Sequence, residues 1–166
     1  KMVIDNCYTL EQLEAQSTKQ VAQGSEILFF DYLSLITISK KTENKRIEVG
    51  EISRRLKMLG KKLNVPVVLL SQLSRANESR PDKRPMLSDL RESGEVEQNA
   101  DSVLFIHRPE YYGFNEDENG QSTENMAEII ISKNRHGMTG TITTPFIKEI
   151  TLFPTIFDKQ HTPNPF

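Results

Sequence analysis

Two apolar runs on either side of one amphipathic helix constrain this chain more than anything else in it. EILFFDYLSLITI (26–38) lacks polar alternation, which is how a strand buried on both faces is written, and VPVVLLSQ (65–72) is a second such run. Between them Val49, Ile52, Leu56, Leu59 and Leu63 recur at spacings of 3, 4, 3 and 4, one stripe of a helix from Arg46 to Leu63, with Arg54, Arg55, Lys57, Lys61 and Lys62 mostly elsewhere. Strand, helix and strand in that order predict a right-handed βαβ crossover, hence an α/β protein with a central parallel pair.

The flanking segments extend this frame. KMVID (1–5) reads as the end of a strand. Thr9 to Gln12 has capping-box spacing and opens a helix expected over Leu10–Gln23, stopped by Gly24. SRANESRPDKRP (74–85), polar and with two prolines, reads as a surface loop that cannot pack as a core element. LSDLRESGEVEQNAD (87–101) suggests a short helix broken at Gly94, and SVLFIHR (102–108) a third buried strand. An acidic loop follows, with a turn expected at Asn119-Gly120. MAEIIISKNR and GTITTPFIKEITLF flank HGMTG, which predicts an antiparallel hairpin. The fold class expected is a mostly parallel sheet with an antiparallel C-terminal edge, one domain over 1–157, and a disordered tail over 158–166.

Composition excludes several function classes. No apolar run approaches the ~18 residues that cross a bilayer, and the first residues lack the order of a secretory signal, so membrane association is not expected. Cys7 is the only cysteine, and His107, His136 and His161 stand apart without cysteine partners. An internal disulfide is thereby excluded, no zinc spacing exists, and a cytoplasmic location is expected. The net charge of −2 hides a segregation: residues 40–62 hold nine Lys/Arg against three Glu, and residues 92–128 ten Asp/Glu against one Arg. Such a basic run is more often a solvated helix face than a nucleic-acid site.

Four constellations carry chemistry. ILFFDYL delivers Asp31 at the carboxyl end of a strand, where open α/β sheets bind ligands and where an acid can hold Mg²⁺ or its water shell, the Walker B pattern. A turn or cap residue is the commoner meaning of such an Asp. SQLSR puts Gln72 at the end of the next strand, a candidate sensor of a γ-phosphate. SKNRHG has Lys133 and Arg135 two apart, so that strand alternation sends both to one face toward an anion such as a triphosphate; an edge strand guarded by cations is the alternative. The loop from Arg75 to Gln98 contains Arg75, Arg80, Lys83, Arg84 and Arg91, and no aromatic residue lies between Tyr32 and Phe105. Any DNA contact there is expected to be to phosphates, through Arg91 and backbone N–H groups near Gly94, with little sequence discrimination.

The order and wording of these elements resemble the C-terminal part of the RecA-like motor domain of DnaB-family replicative DNA helicases. The resemblance rests on FFDYLSLI, EISRRLKMLGKKLNVPVVLLSQLSR, DKRPMLSDLRESGEVEQNADSVLFIHRPEYY and IIISKNRHGMTGTI, and spans residues 2–157. It implies a RecA-like P-loop NTPase core in a bacterial or phage-type helicase that moves 5′ to 3′ on single-stranded DNA as a six-membered ring and hydrolyses ATP between subunits. It further implies that Asp31 is the Walker B aspartate acting on Mg²⁺ through water, that Gln72 is the sensor, and that Lys133 and Arg135 are the trans-acting pair. Arg91, Glu92 and Gly94 become the DNA-facing loop, and primase and a helicase loader become partners. Met138 stands where the family turn usually has proline.

One expected element is missing from these residues. None of the eight glycines has a second glycine five positions on, and Gly60-Lys61 is followed by Lys62, so no Gly-x4-Gly-Lys-Ser/Thr phosphate loop occurs. The chain is therefore expected to be a motor domain truncated at its N-terminus, inactive alone, and monomeric or in a non-native oligomer, because a heterologous ring needs both faces. Two alternatives remain beside the helicase: a recombinase or circadian-clock type RecA-like ATPase, and a non-catalytic module that docks on a helicase ring.

Overall fold

A computed structural model of the protein describes residues 9–39 and 44–154, with the side chains of Arg91, Glu92 and Ser93 also outside the description. The expected N-terminal strand at 1–5, Cys7, His161 and the tail at 158–166 lie outside the described residues. The chain divides into two compact units, residues 1–81 with 86–101, and residues 82–85 with 102–166.

The first unit contains helix α1 (Leu10–Ala22), strand β1 (Leu28–Phe30), helix α2 (Lys45–Leu63), strand β2 (Val67–Leu69) and helix α3 (Gly94–Asn99). The capping box forms as its spacing demands: the Thr9 hydroxyl accepts from the Gln12 N–H and the Gln12 side chain from the Thr9 N–H. Gly24 follows α1 at φ +97, a conformation open to glycine without strain. In α2 the predicted stripe is buried at Val49, Ile52, Leu56 and Leu59, with Leu63 packed at its edge. The helix ends where Asn64 takes the left-handed conformation.

β1 and β2 pair in parallel, Leu28 opposite Val67 and Phe30 opposite Leu69, the pairing a crossover through α2 requires. The first apolar run is not one doubly buried strand, however. Its second half turns into a 3₁₀ helix at Leu33–Leu35, and Phe29 on β1 is 63% exposed. Leu28, Phe30, Leu33 and Ile36 all enter the core that Leu10 and α2 complete, so the run is apolar because strand and turn share one core. Val68 is likewise exposed between half-buried neighbours.

Residues 74–85 run mostly at the surface, as expected, but Asn77 and Pro85 are buried and Arg75–Ser79 forms a 3₁₀ helix. The next 3₁₀ helix, Leu87–Ser93, runs into α3 at Gly94, the expected break.

In the second unit, β3 (Ser102–His107), β4 (Met126–Asn134) and β5 (Gly140–Pro145) form an antiparallel sheet in the order β3-β4-β5. The hairpin across 136–140 is as expected. β3 departs from expectation: Val103, Phe105 and His107 are buried, but Leu104 and Ile106 are 57% and 62% exposed. Strict alternation marks it as a one-faced antiparallel strand. The Asn119-Gly120 turn forms, with the Asp117 carboxylate accepting from the N–H groups of Asn119 and Gln121.

Candidate functional site

Parallel pairing puts the carboxyl ends of β1 and β2 on one edge, and both candidate nucleotide residues leave that edge. Asp31 follows Phe30 directly, and Gln72 lies just beyond Leu69. Backbone bonds continue past the strands, from the Leu70 N–H to the Phe30 carbonyl (3.0 Å) and from the Leu33 N–H to the Leu70 carbonyl (2.9 Å), so the two exits stay side by side. The Asp31–Tyr32 peptide is cis. Both side chains are exposed, and among the described residues none takes the Asp31 carboxylate or the Gln72 amide.

Other acids of this unit are committed. The Asp89 carboxylate, 2% exposed, accepts both terminal nitrogens of Arg80 and the Met86 N–H (2.8 Å). That pairing, against the opposing effect of burial, holds its carboxyl below the usual carboxylate range. The Asp89 carbonyl also accepts the Ser74 N–H (3.0 Å), which ties the stretch after Gln72 to the 3₁₀ helix that carries Arg91. Glu11 and Glu14 of α1 both bind Arg55 of α2, and the Arg55 bond, aided by a backbone N–H and the Ser39 hydroxyl, brings the Glu11 carboxyl down to about 2.

The basic run on α2 is largely spent inside the chain. Lys45 pairs with Glu48, Arg54 with Glu51, Arg55 with Glu11 and Glu14, and Lys57 with Asp101. This is the solvated-face arrangement that the charge pattern favours. Arg80 and Arg84, grouped in the sequence with possible phosphate contacts, also have internal partners: Arg80 binds Asp89, while Arg84 binds Glu128 (2.6 Å) and the Thr141 hydroxyl (3.1 Å).

Of the DNA-facing candidates, Arg91 and Glu92 lie on the 3₁₀ helix Leu87–Ser93, their side chains outside the description. Gly94 has right-handed helical dihedrals (φ −52, ψ −29). Among the described residues a Cβ there would meet only the Arg46 Nη2, at 3.6 Å, an ordinary contact. Packing among the described residues therefore does not require glycine at this position.

In the second unit, Lys133 sits on β4 opposite Val103, and Arg135 lies past the strand in the turn. Strand alternation thus governs Lys133 alone. The register slips between Val103 and Leu104, leaving Ser132 as an extra residue, so that Lys133 and not Ser132 faces Val103. Nothing in the residues of either strand signals this bulge.

Three arrangements have no counterpart in the sequence pattern: the Arg80–Asp89 pair, the Arg84–Glu128–Thr141 set, and Arg108 stacked 4.5 Å over Phe146. Their only signal is an excess of Arg near loops. Buried His107 stacks on Tyr112 at 5.6 Å, and burial pushes its imidazole below its ordinary value. Among the described residues no cluster of three or more His, Cys, Asp or Glu could hold a metal ion alone. Mg²⁺ beside phosphates needs only one or two protein carboxylates and keeps several waters, so Asp31 fits the ion as a contributor to a shared site.

A parallel pair crossed over by a helix and followed in sequence by an antiparallel three-stranded sheet places the chain in the RecA-like α/β class, as its solved neighbours bear out. A solved ATPase domain superimposes with a TM-score of 0.78 at 38% identity, over 87% of this chain and 50% of that one. A solved DnaB-like replicative helicase, described with its interactions with primase, gives 0.78 and 38% over 87% of this chain and 35% of that one. The profile of the DnaB-like helicase C terminal domain family matches residues 1–155, and the chain belongs to that family. A probable plasmid replicative DNA helicase of Chlamydia psittaci is 53% identical over 124 residues, covering 75% of this chain and 26% of the relative. The replicative DNA helicase DnaB of Geobacillus stearothermophilus is 49% identical over 144 residues, 84% of this chain and 31% of the relative. The chain thus spans between a quarter and a third of these relatives. No helix among the described residues is long and apolar enough to cross a membrane.

Proposed function

We propose that this chain is the C-terminal part of the ATPase domain of a replicative DNA helicase that moves 5′ to 3′ on single-stranded DNA as a hexameric ring. The observation that carries this is the pair of uncommitted polar side chains, Asp31 and Gln72, on one carboxyl edge of the β1–β2 pair. Family membership favours it over a recombinase or clock-type ATPase.

In this reading ATP binds between subunits and each chain contributes to two pockets. At one, Asp31 orients water on Mg²⁺ and the Gln72 side-chain amide donates a hydrogen bond to the γ-phosphate, a bond lost when that phosphate leaves. Bound Mg²⁺ supplies neutralising charge to the phosphates. At the other, Lys133 and Arg135 present cations to a neighbour's triphosphate, and charge stabilisation of this kind supplies ~10³–10⁵ in rate. Arg91, Glu92 and Gly94 face the DNA backbone, with Gly94 leaving main chain uncovered for a phosphate. Primase and a loader act on the assembled protein, and the 166 residues alone, without a phosphate loop, do not turn over ATP.

The test is Arg135→Ala in the full-length protein. Nucleotide affinity is expected to stay within a few-fold of wild type while hydrolysis falls by ~10³ or more. Wild-type turnover would remove the trans-acting assignment. Phosphate release by the isolated chain above an Asp31→Ala control would remove the claim of inactivity.

A further inference from the structure

Arg46 lies in the first turn of α2, exposed, with its Nη2 3.6 Å from where a side chain on Gly94 would start. Its neighbours along the basic run turn inward to acids of the same chain: Lys45 to Glu48, Arg54 to Glu51, Arg55 to Glu11 and Glu14, and Lys57 to Asp101. Among the described residues no acid takes the Arg46 guanidinium; only its backbone N–H is bound, to the Asn44 cap (2.9 Å). Gly94 in turn has ordinary right-handed helical dihedrals, and among the described residues no packing demand fixes a glycine there. An exposed cation beside the space that a side chain on half-buried Gly94 would fill forms a surface that suits an anion with several acceptor oxygens.

We propose that Arg46 is a phosphate-binding residue of the DNA-facing segment, gripping the single-strand backbone together with Arg91 and the main chain at Gly94. This rests on the assignment of Arg91 and Gly94 to DNA made above. A phosphodiester laid against Gly94 meets the Arg46 guanidinium, whose fork can give two N–H bonds to its non-bridging oxygens. The absence of aromatic residues from 33 to 104 keeps the contact indifferent to base identity.

The experiment measures binding of a labelled oligothymidylate to the full-length protein across a series of salt concentrations, for wild type, Arg46→Ala, Arg46→Lys, Arg54→Ala and Arg91→Ala. Arg46→Ala is expected to weaken binding several-fold at low salt and to flatten the log–log salt slope by ~0.7 for each subunit engaged. Arg46→Lys keeps the charge and most of the slope. Arg54→Ala, which removes a cation already neutralised by Glu51, behaves as wild type. A wild-type slope in Arg46→Ala beside a loss in Arg91→Ala overturns the proposal and leaves the DNA-facing assignment standing. Equal losses in Arg46→Ala and Arg54→Ala also overturn it, since they mark a general charge effect. A wild-type slope in Arg91→Ala overturns the assignment of the loop, and the proposal with it.

Discussion

Gly50 and Gly60 sit in the same helix, and the same substitution at each should move stability in opposite directions. Alanine gains ~1 kcal/mol over glycine in a helix interior, so propensity favours both changes equally. What differs is the obstruction. A Cβ on Gly50 would fall 2.0 Å from the Glu95 Oε2 and 2.6 Å from its Cδ, the far end of a flexible, exposed side chain that can swing aside, with only the Glu95 Cβ at 3.2 Å asking for a small shift. On Gly60 the new carbon would meet the Val67 Cγ2 at 3.0 Å and the Val65 carbonyl oxygen at 3.1 Å. Backbone cannot rotate away: relief there means moving the turn that holds Asn64 in its left-handed cap and the Val65 N–H on the Gly60 carbonyl (3.1 Å). Overpacking of that kind costs ~1–3 kcal/mol. Gly50→Ala is therefore expected to be neutral to ~1 kcal/mol stabilising, and Gly60→Ala neutral to ~2 kcal/mol destabilising. Urea unfolding followed by far-ultraviolet circular dichroism reports on α1 to α3, all in the first unit. In a Glu95→Ala background, where only the Cβ contact at 3.2 Å remains, Gly50→Ala should come closer to its full propensity gain while Gly60→Ala stays unchanged. A Gly60→Ala variant more stable than the Gly50→Ala variant would refute the steric reasoning.

Burial holds His107 below its ordinary value, an effect the Glu128 charge opposes and Arg84 supports, so the unfolded chain binds the proton more readily than the folded one. Stability of the second unit should be full above about pH 6.5 and fall as pH drops through that value, a dependence that His107→Phe abolishes; an unaltered pH profile in the variant would count against it. Arg80→Ala strands the nearly inaccessible Asp89 carboxylate with only the Met86 N–H, and should cost ~2–3 kcal/mol in urea unfolding at neutral pH, lessening as acid protonates the group. Loss of less than half that amount would mean that the loop relaxes around the carboxylate.

What is legible in the sequence follows from which forces are local. The α1 capping box and the α2 stripe depend on residues three and four apart, and both form where the spacing places them. Asp31 and Gln72 are legible because a strand's direction fixes where its end points once its pairing is parallel. Burial is not legible at Phe29, Leu104 and Ile106, because an apolar run does not say whether one face or two will be covered. The Arg80–Asp89 pair is hidden for a related reason: a loop rich in charge and proline reads as solvated until a partner nine residues on removes its acid from water. The slip at Ser132 is a property of two strands together, and neither carries a mark of it alone.

The ion pairs on α2 also bear on how DNA could be held. Because Lys45, Arg54, Arg55 and Lys57 pair with acids within the chain, less of the basic run is left to act as a general polyanion surface, and the proposed DNA-facing segment has few cations of its own. Each phosphate contact to a single strand contributes only ~0.7 to the salt slope, and a protomer offering two or three such contacts binds weakly by itself. A motor that must stay on its track therefore needs many copies of the same small contact set along one strand, where each further engagement proceeds at the effective concentration set by those already made. On the proposed function this is the physical reason for a ring: a weak grip per subunit lets each one release and step, while the assembly as a whole does not let go.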